Sequence, residues 1–252
     1  QNEAYPEQWR ERINGKIGFS YQIMEGLEFT ANLKRDYYVD TRESRIPEES
    51  MAISEFTRDI YEITEDNYEA LLNYNTDLTS DIGFSGMVGV NRYDYSYGNN
   101  YAATQGGLSV PGIYAVDNAK SNPTTFDEYR DKRINSVFGR LGFDYLSTYY
   151  IDMTLRNDWS SALPEGDRSY LYPSVTGSVI LSEMSFAEGL DWLSFAKIRG
   201  SWAQVGNDTD PYQTSITYAA YDSFEGYPRT SIPNTLNNPA LKPERTESME
   251  AG

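Results

Sequence analysis

The feature that most constrains this chain is a series of period-two alternations joined by connections that are short and long by turns. From Ile17 to Ile23 the odd positions are Ile17, Phe19, Tyr21 and Ile23, and the even ones are Gly18, Ser20 and Gln22. That is a strand with one apolar face. Alternation resumes with Leu27, Phe29, Ala31 and Leu33 against Glu28, Thr30, Asn32 and Lys34. A loop at Met24 to Gly26, with Gly26 left-handed, pairs Ile23 with Leu27 and keeps both apolar sets on one face, whereas a Glu25-Gly26 turn would pair Ile23 with Glu28.

The signature recurs at Tyr68, Ala70, Leu72 and Tyr74, then at Ile82, Phe84, Gly86, Val88 and Val90. It returns at Val137, Gly139, Leu141, Phe143 and Tyr145, and at Ile151, Met153 and Leu155. Val175, Gly177, Val179 and Leu181 make a seventh strand, Ala196, Ile198, Gly200 and Trp202 an eighth, and a ninth begins near Thr246. No helical stripe of comparable quality is present, although Ser185 to Trp192 suits a helical turn.

Short connections are predicted at Met24 to Gly26, Asp77 to Thr79, Leu146 to Thr148 and, somewhat longer, Glu183 to Ser194. Long ones are predicted at Asp40 to Phe56, Gly98 to Arg133, Ser160 to Ser169 and Gly206 to Glu244. An up-and-down membrane barrel requires this parity, with short periplasmic turns and long extracellular loops. A Greek-key sandwich does not.

Composition narrows the chemistry. With 21 basic against 38 acidic residues the net charge is −17, a poor match for nucleic acid. The absence of cysteine and histidine removes thiol nucleophiles, disulfides, the Ser-His-Asp triad and His/Cys zinc sites. A mean hydropathy of −0.63 excludes a bundle of membrane helices. It leaves a membrane barrel open, because lumen-facing polar residues dilute the apolar ones. The face opposite the apolar set carries Lys16, Lys34, Arg140, Asp144, Asp152, Arg156, Asp158, Lys197 and Arg199. A soluble antiparallel sheet with one wet face gives the same alternation.

Specific motifs follow one another in order. They are Phe138-Gly-Arg140-Leu-Gly-Phe-Asp-Tyr145, Tyr150-Ile-Asp-Met-Thr-Leu-Arg156-Asn-Asp158-Trp-Ser160-Ser161, Tyr172-Pro173-Ser174, Lys197-Ile-Arg199-Gly-Ser201 and Gly206-Asn207. Then comes Asn238-Pro-Ala-Leu241-Lys242-Pro243-Glu244-Arg-Thr246, leading into Glu250-Ala-Gly252. This series resembles the barrel of the SusC/RagA-type TonB-dependent outer-membrane transporters of the Bacteroidetes, from Ile13 onward and most strongly from Ser136 to Gly252. Trp159 and Ala196 depart from the family pattern, which has glycine and leucine there.

The resemblance implies an all-β, up-and-down antiparallel transmembrane barrel segment, about nine strands of a 22-stranded barrel, spanning residues 1–252. The family's N-terminal plug and TonB-binding segment have no counterpart in the sequence, so the chain is expected to be an internal segment. It implies import of a glycan or peptide across the outer membrane of a Gram-negative bacterium, in the lipid bilayer. The implied partners are a SusD-like surface lipoprotein and the TonB-ExbB-ExbD system. No catalytic residue, metal or cofactor is expected. The alternative is a soluble β-sandwich acting as a glycan-binding or adhesion module.

Candidate sites follow from parity. Tyr93, Tyr95 and Tyr97 share the polar parity of Gly83, Ser85 and Asn91 and suit stacking on a substrate, or packing at a loop base or on a plug. Arg140, Asp144, Asp152, Arg156, Lys197 and Arg199 are expected to face the lumen and hold the plug. Asp208-Thr-Asp210 looks like half a calcium loop but lacks the rest of the spacing and reads as a polar turn. Asp152 and Asp158, ~20 Å apart along one strand, are too distant for a glycosidase pair.

The outward set is predicted to include Ile17, Phe19, Leu33, Leu72, Phe84, Leu141, Leu155, Val179 and Ile198. At the Ser147-Thr148 turn, pairing Arg140 with Asp158 and Asp144 with Thr154 is preferred over pairing Arg140 with Arg156, on cross-strand charge.

Overall fold

Alternating sequences need neighbours to satisfy their backbone groups, and here the first eight strands find them in their sequence neighbours, while the eighth also pairs with the last across an intervening hairpin. The computed structural model describes residues 5–187 and 192–252. Its main sheet has nine strands in the order β1-β2-β3-β4-β5-β6-β7-β8-β11. They are β1 (Pro6–Met24), β2 (Leu27–Ile46), β3 (Glu55–Asp77), β4 (Ile82–Leu108), β5 (Ala119–Tyr145), β6 (Tyr149–Ser160), β7 (Ser169–Ile180), β8 (Lys197–Asn207) and β11 (Glu244–Ala251). Between β8 and β11 a separate hairpin pairs β9 (Ala219–Phe224) with β10 (Tyr227–Ser231). No helix among the described residues is long and apolar enough to cross a membrane, which leaves crossing by strands untouched.

The chain forms two compact units. One comprises Gln1–Ile17, Leu33–Asn67 and Tyr93–Asp131; the other comprises Gly18–Asn32, Tyr68–Arg92 and Lys132–Gly252. In the first, Phe56 and Leu108 are fully buried, and their N–H groups donate to the side-chain oxygens of Thr104 at 2.9 Å and Ser54 at 3.0 Å. In the second, Ala162, Leu163 and Tyr170 are buried around Ser160 and Asp158.

The buried set is small because most apolar side chains of the strands face outward. Ile17 is 73% and Ile198 57% exposed, and Phe19, Leu33, Leu72, Leu141 and Leu155 are exposed too. Phe84 and Val179 are half-buried. Phe84 lies in a run of rings, 6.3 Å from Tyr74 and 5.2 Å from Phe143, near the ends of the strands at the short turns. Beside the nine-stranded sheet the described residues form only the two-stranded β9–β10 sheet, so the sandwich alternative lacks a second sheet of matching size among them.

The alternation of short and long connections holds as far as β7, but the β7–β8 connection, predicted to be among the short ones, runs over 181–196 and exceeds the long connections 47–54, 109–118 and 161–168, and several boundaries move. β2 runs on to Ile46, so the predicted loop from Asp40 to Phe56 shrinks to 47–54. The predicted loop from Gly98 to Arg133 is mostly strand, leaving 109–118 as the connection. β4 and β5 therefore reach 27 residues each, against about 9–11 needed to cross a bilayer. The apolar alternation stops where the lipid requirement stops, while backbone pairing continues. The loop from Ser160 to Ser169 stands, and within Gly206 to Glu244 the β9–β10 hairpin was not predicted. Its turn places Glu225 and Gly226 at positive φ. Of the predicted helical turn, 188–191 lie outside the described residues, and 184–187 close a turn through Ala187 N–H to the Met184 carbonyl at 2.8 Å.

The first hairpin keeps parity as expected. Gln8 and Arg10 bond Asp40, Arg12 bonds Asp36, and Ser20 donates to Glu28, all even-numbered partners on one face. Gly26 is left-handed at φ 76°, and a side chain there would strike the Asn75 carbonyl.

The register of the third hairpin corrects the prediction. Tyr145 pairs with Tyr149, Arg140 with Thr154, Asp144 with Tyr150, and Phe138 with Arg156. Neither Asp158 nor Arg156 stands across from Arg140. Leu146 and Ser147 adopt left-handed φ of 52° and 51°, and Thr148 N–H reaches the Tyr145 carbonyl at 3.0 Å, so the turn closes over 146–148 and the ladder stands four residues from the predicted register. Parity is kept, and charge is satisfied diagonally: Arg140 meets Asp152 at 2.5 Å.

Candidate functional site

Even residues of β5, β6 and β7 and odd residues of β8 share the polar face of the second unit, because each ladder preserves parity. Arg140 donates to Asp152 through Nε at 2.9 Å and Nη2 at 2.5 Å. The Asp144 carboxylate lies over Gly83, where a side chain would leave it no room. Arg156 is the centre of a knot: Nε donates to Asp158 at 2.8 Å, Nη2 to Ser136 at 2.8 Å, and the guanidinium lies 5.1 Å from the Phe138 ring centre. The Tyr172 hydroxyl donates to the other oxygen of Asp158, which is buried. A recess of 360 Å³ on this face is lined by Met87, Phe138, Arg140, Thr154, Arg156 and Tyr172 among others.

Lys197 and Arg199 are not drawn into that network. Lys197 lies 5.8 Å from the Tyr150 ring, and the Arg199 backbone exchanges hydrogen bonds with Gly252 at 2.7 and 3.0 Å. The structure thus brings together Arg140 with Asp152 and joins Arg156 to Asp158, Tyr172 and Ser136, leaving Lys197 and Arg199 on separate rows.

Asp208 has a different role from that of a calcium ligand. Its Oδ1 accepts from Lys132 at 2.6 Å, its Oδ2 from the Ser160 hydroxyl, and Lys132 also donates to the Thr209 carbonyl at 3.2 Å. Among the described residues no group of three or more acidic ligands gathers for a metal. This latch links residues 76 apart and is invisible to local motif reading. The only sequence signal for it is the shared polar parity of Lys132 and Ser160.

In the first unit the tyrosines stand in an alternation of rings and guanidinium groups. Tyr97 lies 6.2 Å from Tyr61, with Arg130 5.3 Å from the Tyr97 centre and Arg42 4.6 Å from that of Tyr61. Arg10 lies 4.8 Å from the Tyr38 ring. Such contacts are favourable for cations over aromatic faces. Asp40, 1% exposed, ties this row together by accepting from Gln8 at 2.8 Å, Arg10 at 3.0 Å and Arg42 at 3.3 Å.

Asp40 lies beyond the stretch of β2 that a bilayer would cover. Burial pushes its carboxyl up, but the hydrogen bonds from Arg10, Arg42 and Gln8 outweigh that and hold it below the usual carboxylate range. Burial, with Tyr38 and Glu65 nearby, pushes the Tyr95 hydroxyl up. Tyr93 is half-buried two positions before Tyr95. Tyr38, Asp40, Arg42, Tyr61 and Arg130 are site residues that the sequence reading lacks: Asp40 and Arg42 fall in the predicted Asp40–Phe56 loop and Arg130 in the predicted Gly98–Arg133 loop, yet parity along β2, β3 and β5 puts all five on the polar face.

The TonB dependent receptor-like β-barrel family model matches residues 2–252. TonB-dependent receptor P26 of Formosa agariphila is 30% identical over 140 residues, covering 52% of this chain and 14% of the relative. TonB-dependent receptor SusC of Bacteroides thetaiotaomicron is 25% identical over 254 residues, covering 95% of this chain and 24% of SusC. The RagAB peptide importer in its closed-closed state matches with a TM-score of 0.83 and 19% identity, covering 98% of this chain and 28% of the solved one. The chain therefore spans about a quarter or less of the length of these relatives.

Proposed function

We propose, from the premise that this chain belongs to the TonB dependent receptor-like β-barrel family, that it forms wall of an outer-membrane importer for a glycan or a peptide. The carrying observation is sidedness. One face of the strands is exposed and apolar, and the other holds arginines and aspartates that satisfy one another, as a wall between lipid and a hydrated lumen requires. Relatives named as TonB-dependent receptors support import, and the RagAB importer acts on peptides.

In this reading uptake is energised through TonB-ExbB-ExbD acting on a plug, and a SusD-like surface lipoprotein closes the extracellular mouth. Arg140, Asp144, Asp152, Arg156, Lys197 and Arg199 face the plug, whose polar groups meet the capacity their own pairs leave open. Tyr93, Tyr95 and Tyr97 line the substrate's path. Connections 109–118 and 208–243 meet the lipoprotein; in the first, Asn118 holds a rigid tip by donating to the carbonyls of Val110 at 2.8 Å and Ile113 at 2.6 Å.

Deleting the gene in its source bacterium tests the reading. Growth on one class of oligosaccharide or peptide should fail and return with the intact gene, and the tagged protein should co-purify with a surface lipoprotein. Unaltered growth on every such source, with no lipoprotein recovered, would contradict it.

A further inference from the structure

Most strand glycines of the second unit make room for a neighbour. A Cβ at Gly89 would come within 2.5 Å of the Phe138 ring, one at Gly206 within 2.5 Å of Tyr170, and one at Gly83 within 2.2 Å of Asp144. Gly177 and Gly200 are different. A Cβ at Gly177 would meet nothing nearer than the Tyr150 carbonyl at 4.0 Å, and one at Gly200 nothing nearer than the Glu250 carbonyl at 3.9 Å. Neither is among the glycines at positive φ. The two are direct partners across β7 and β8, in a ladder with no register break between Ser174 and Ile180. Glycine weakens a strand interior, and where neither conformation, bulge nor packing asks for it, close approach of a ligand remains.

The missing side chains leave a groove. It has a volume of 450 Å³, within the range of small-molecule sites, and is rimmed by Phe143, Tyr145, Tyr149 and Ile198. Gly177 and Gly200 form its floor and lie on the apolar face, by parity with Ile151, Val179 and Ile198. Family membership puts that face in hydrocarbon. Of the rim, Phe143, Tyr145 and Tyr149 lie one to three residues from the turn at 146–148. Short turns of such barrels face the periplasm. Tyr145 and Tyr149 stack at 6.2 Å beside that turn, with hydroxyls suited to the headgroup level.

We infer that the Gly177–Gly200 groove is a binding site for an acyl chain of a periplasmic-leaflet phospholipid, with Tyr145 and Tyr149 at its mouth. Apolar-face residues dominate the lining, with Asp144, Tyr150, Ser178 and Arg199 of the opposite parity also bordering it; the surrounding solvent at that depth is hydrocarbon, and a chain is the ligand there that fits a slot one side chain deep. The inference rests on the sidedness of the strands and not on which nutrient is carried.

The test places the full-length protein in phospholipid vesicles that contain phosphatidylethanolamine with a diazirine near the end of one acyl chain. After photolysis, adducts should concentrate several-fold on peptides containing 143–151 and 175–200, relative to the equally lipid-facing 17–33 and 68–90. Gly177→Leu with Gly200→Leu should remove that excess and leave the other adducts unchanged. If the leucine pair does not insert, Gly177→Ala with Gly200→Ala, which the space accepts, should reduce the excess. An even distribution of adducts in the unsubstituted protein overturns the inference without any variant. So does an excess indifferent to the substitutions, as a mere bend would give.

Discussion

Replacing Asp208 by alanine should free the root of the long 208–243 connection without unfolding the sheet. Lys132 and Asp208 are only 17% and 6% exposed, and their 2.6 Å contact is accompanied by the Ser160 hydroxyl on the other carboxylate oxygen. Breaking one side of a buried pair costs about 3–5 kcal/mol. Here Lys132 keeps the Thr209 carbonyl at 3.2 Å and some access to water, so the lower figure of about 2–3 kcal/mol applies. Local opening should therefore rise about 30- to 140-fold, since 1.4 kcal/mol is tenfold. Amide exchange across 205–211 in the full-length protein reads this directly, with 137–145 on β5 as an internal control. Lys132→Met with Asp208→Leu should recover much of the protection, because apolar replacement of both partners leaves no uncompensated charge. Exchange that Asp208→Ala leaves unchanged, or a double variant no better protected than the single, would refute the latch.

Other consequences are equally direct. Asp40 is held below its unfolded value, so its contribution is fully present above the ordinary aspartate value and is lost as pH falls through the lower folded one. Unfolding of the full-length protein, followed by denaturant at neutral pH and below about pH 4, should show an acid loss that Asp40→Asn makes smaller. Gly89→Val should destabilise by about 1–3 kcal/mol through collision with Phe138 and Leu71, whereas Gly177→Ala should be close to neutral in the same titration. Leu146 sits at φ 52°, so Leu146→Gly or Leu146→Asn should raise stability by about 1 kcal/mol, read as a shifted unfolding midpoint.

Much of this architecture is legible in the residues because lipid on one side enforces a strict period. Ile17, Leu72, Leu141 and Ile198 announce strand and face together, and the outward exposure of these residues follows from parity alone. What lies past the bilayer carries no such rule. β4 beyond Tyr97 and β5 before Arg133 alternate weakly, so their pairing is set by backbone bonds and contacts such as Phe56 N–H to Thr104. The β9–β10 hairpin is short and bulged at Tyr227 to Arg229, which breaks the very period that would have shown it. The Arg140 register eluded charge arguments for a related reason. Directly opposed residues were weighed, while the arginine side chain spans a diagonal to Asp152. The knot of Arg156, Asp158 and Tyr172 is foreshadowed by parity on β6 and β7, but the reach from Lys132 to Asp208 spans 76 residues and no local pattern records it.

The central claim is that odd and even residues of one strand meet different solvents, and β6 offers the cleanest pair. Leu155 is exposed on the apolar face, seven residues into the strand from its short turn, and Thr154 beside it bonds Ser174 on the polar face at 2.6 Å. In the full-length protein reconstituted in phospholipid vesicles, denaturant titration of Leu155→Arg should show a loss of about 2–4 kcal/mol, the cost of an arginine near the bilayer midplane. Thr154→Gln, which sets no second cation across from Arg140, should lose no more than about 1 kcal/mol, the worth of one hydrogen bond. Equal losses, or a larger loss at Thr154 than at Leu155, would contradict the assignment of faces on which every other conclusion depends.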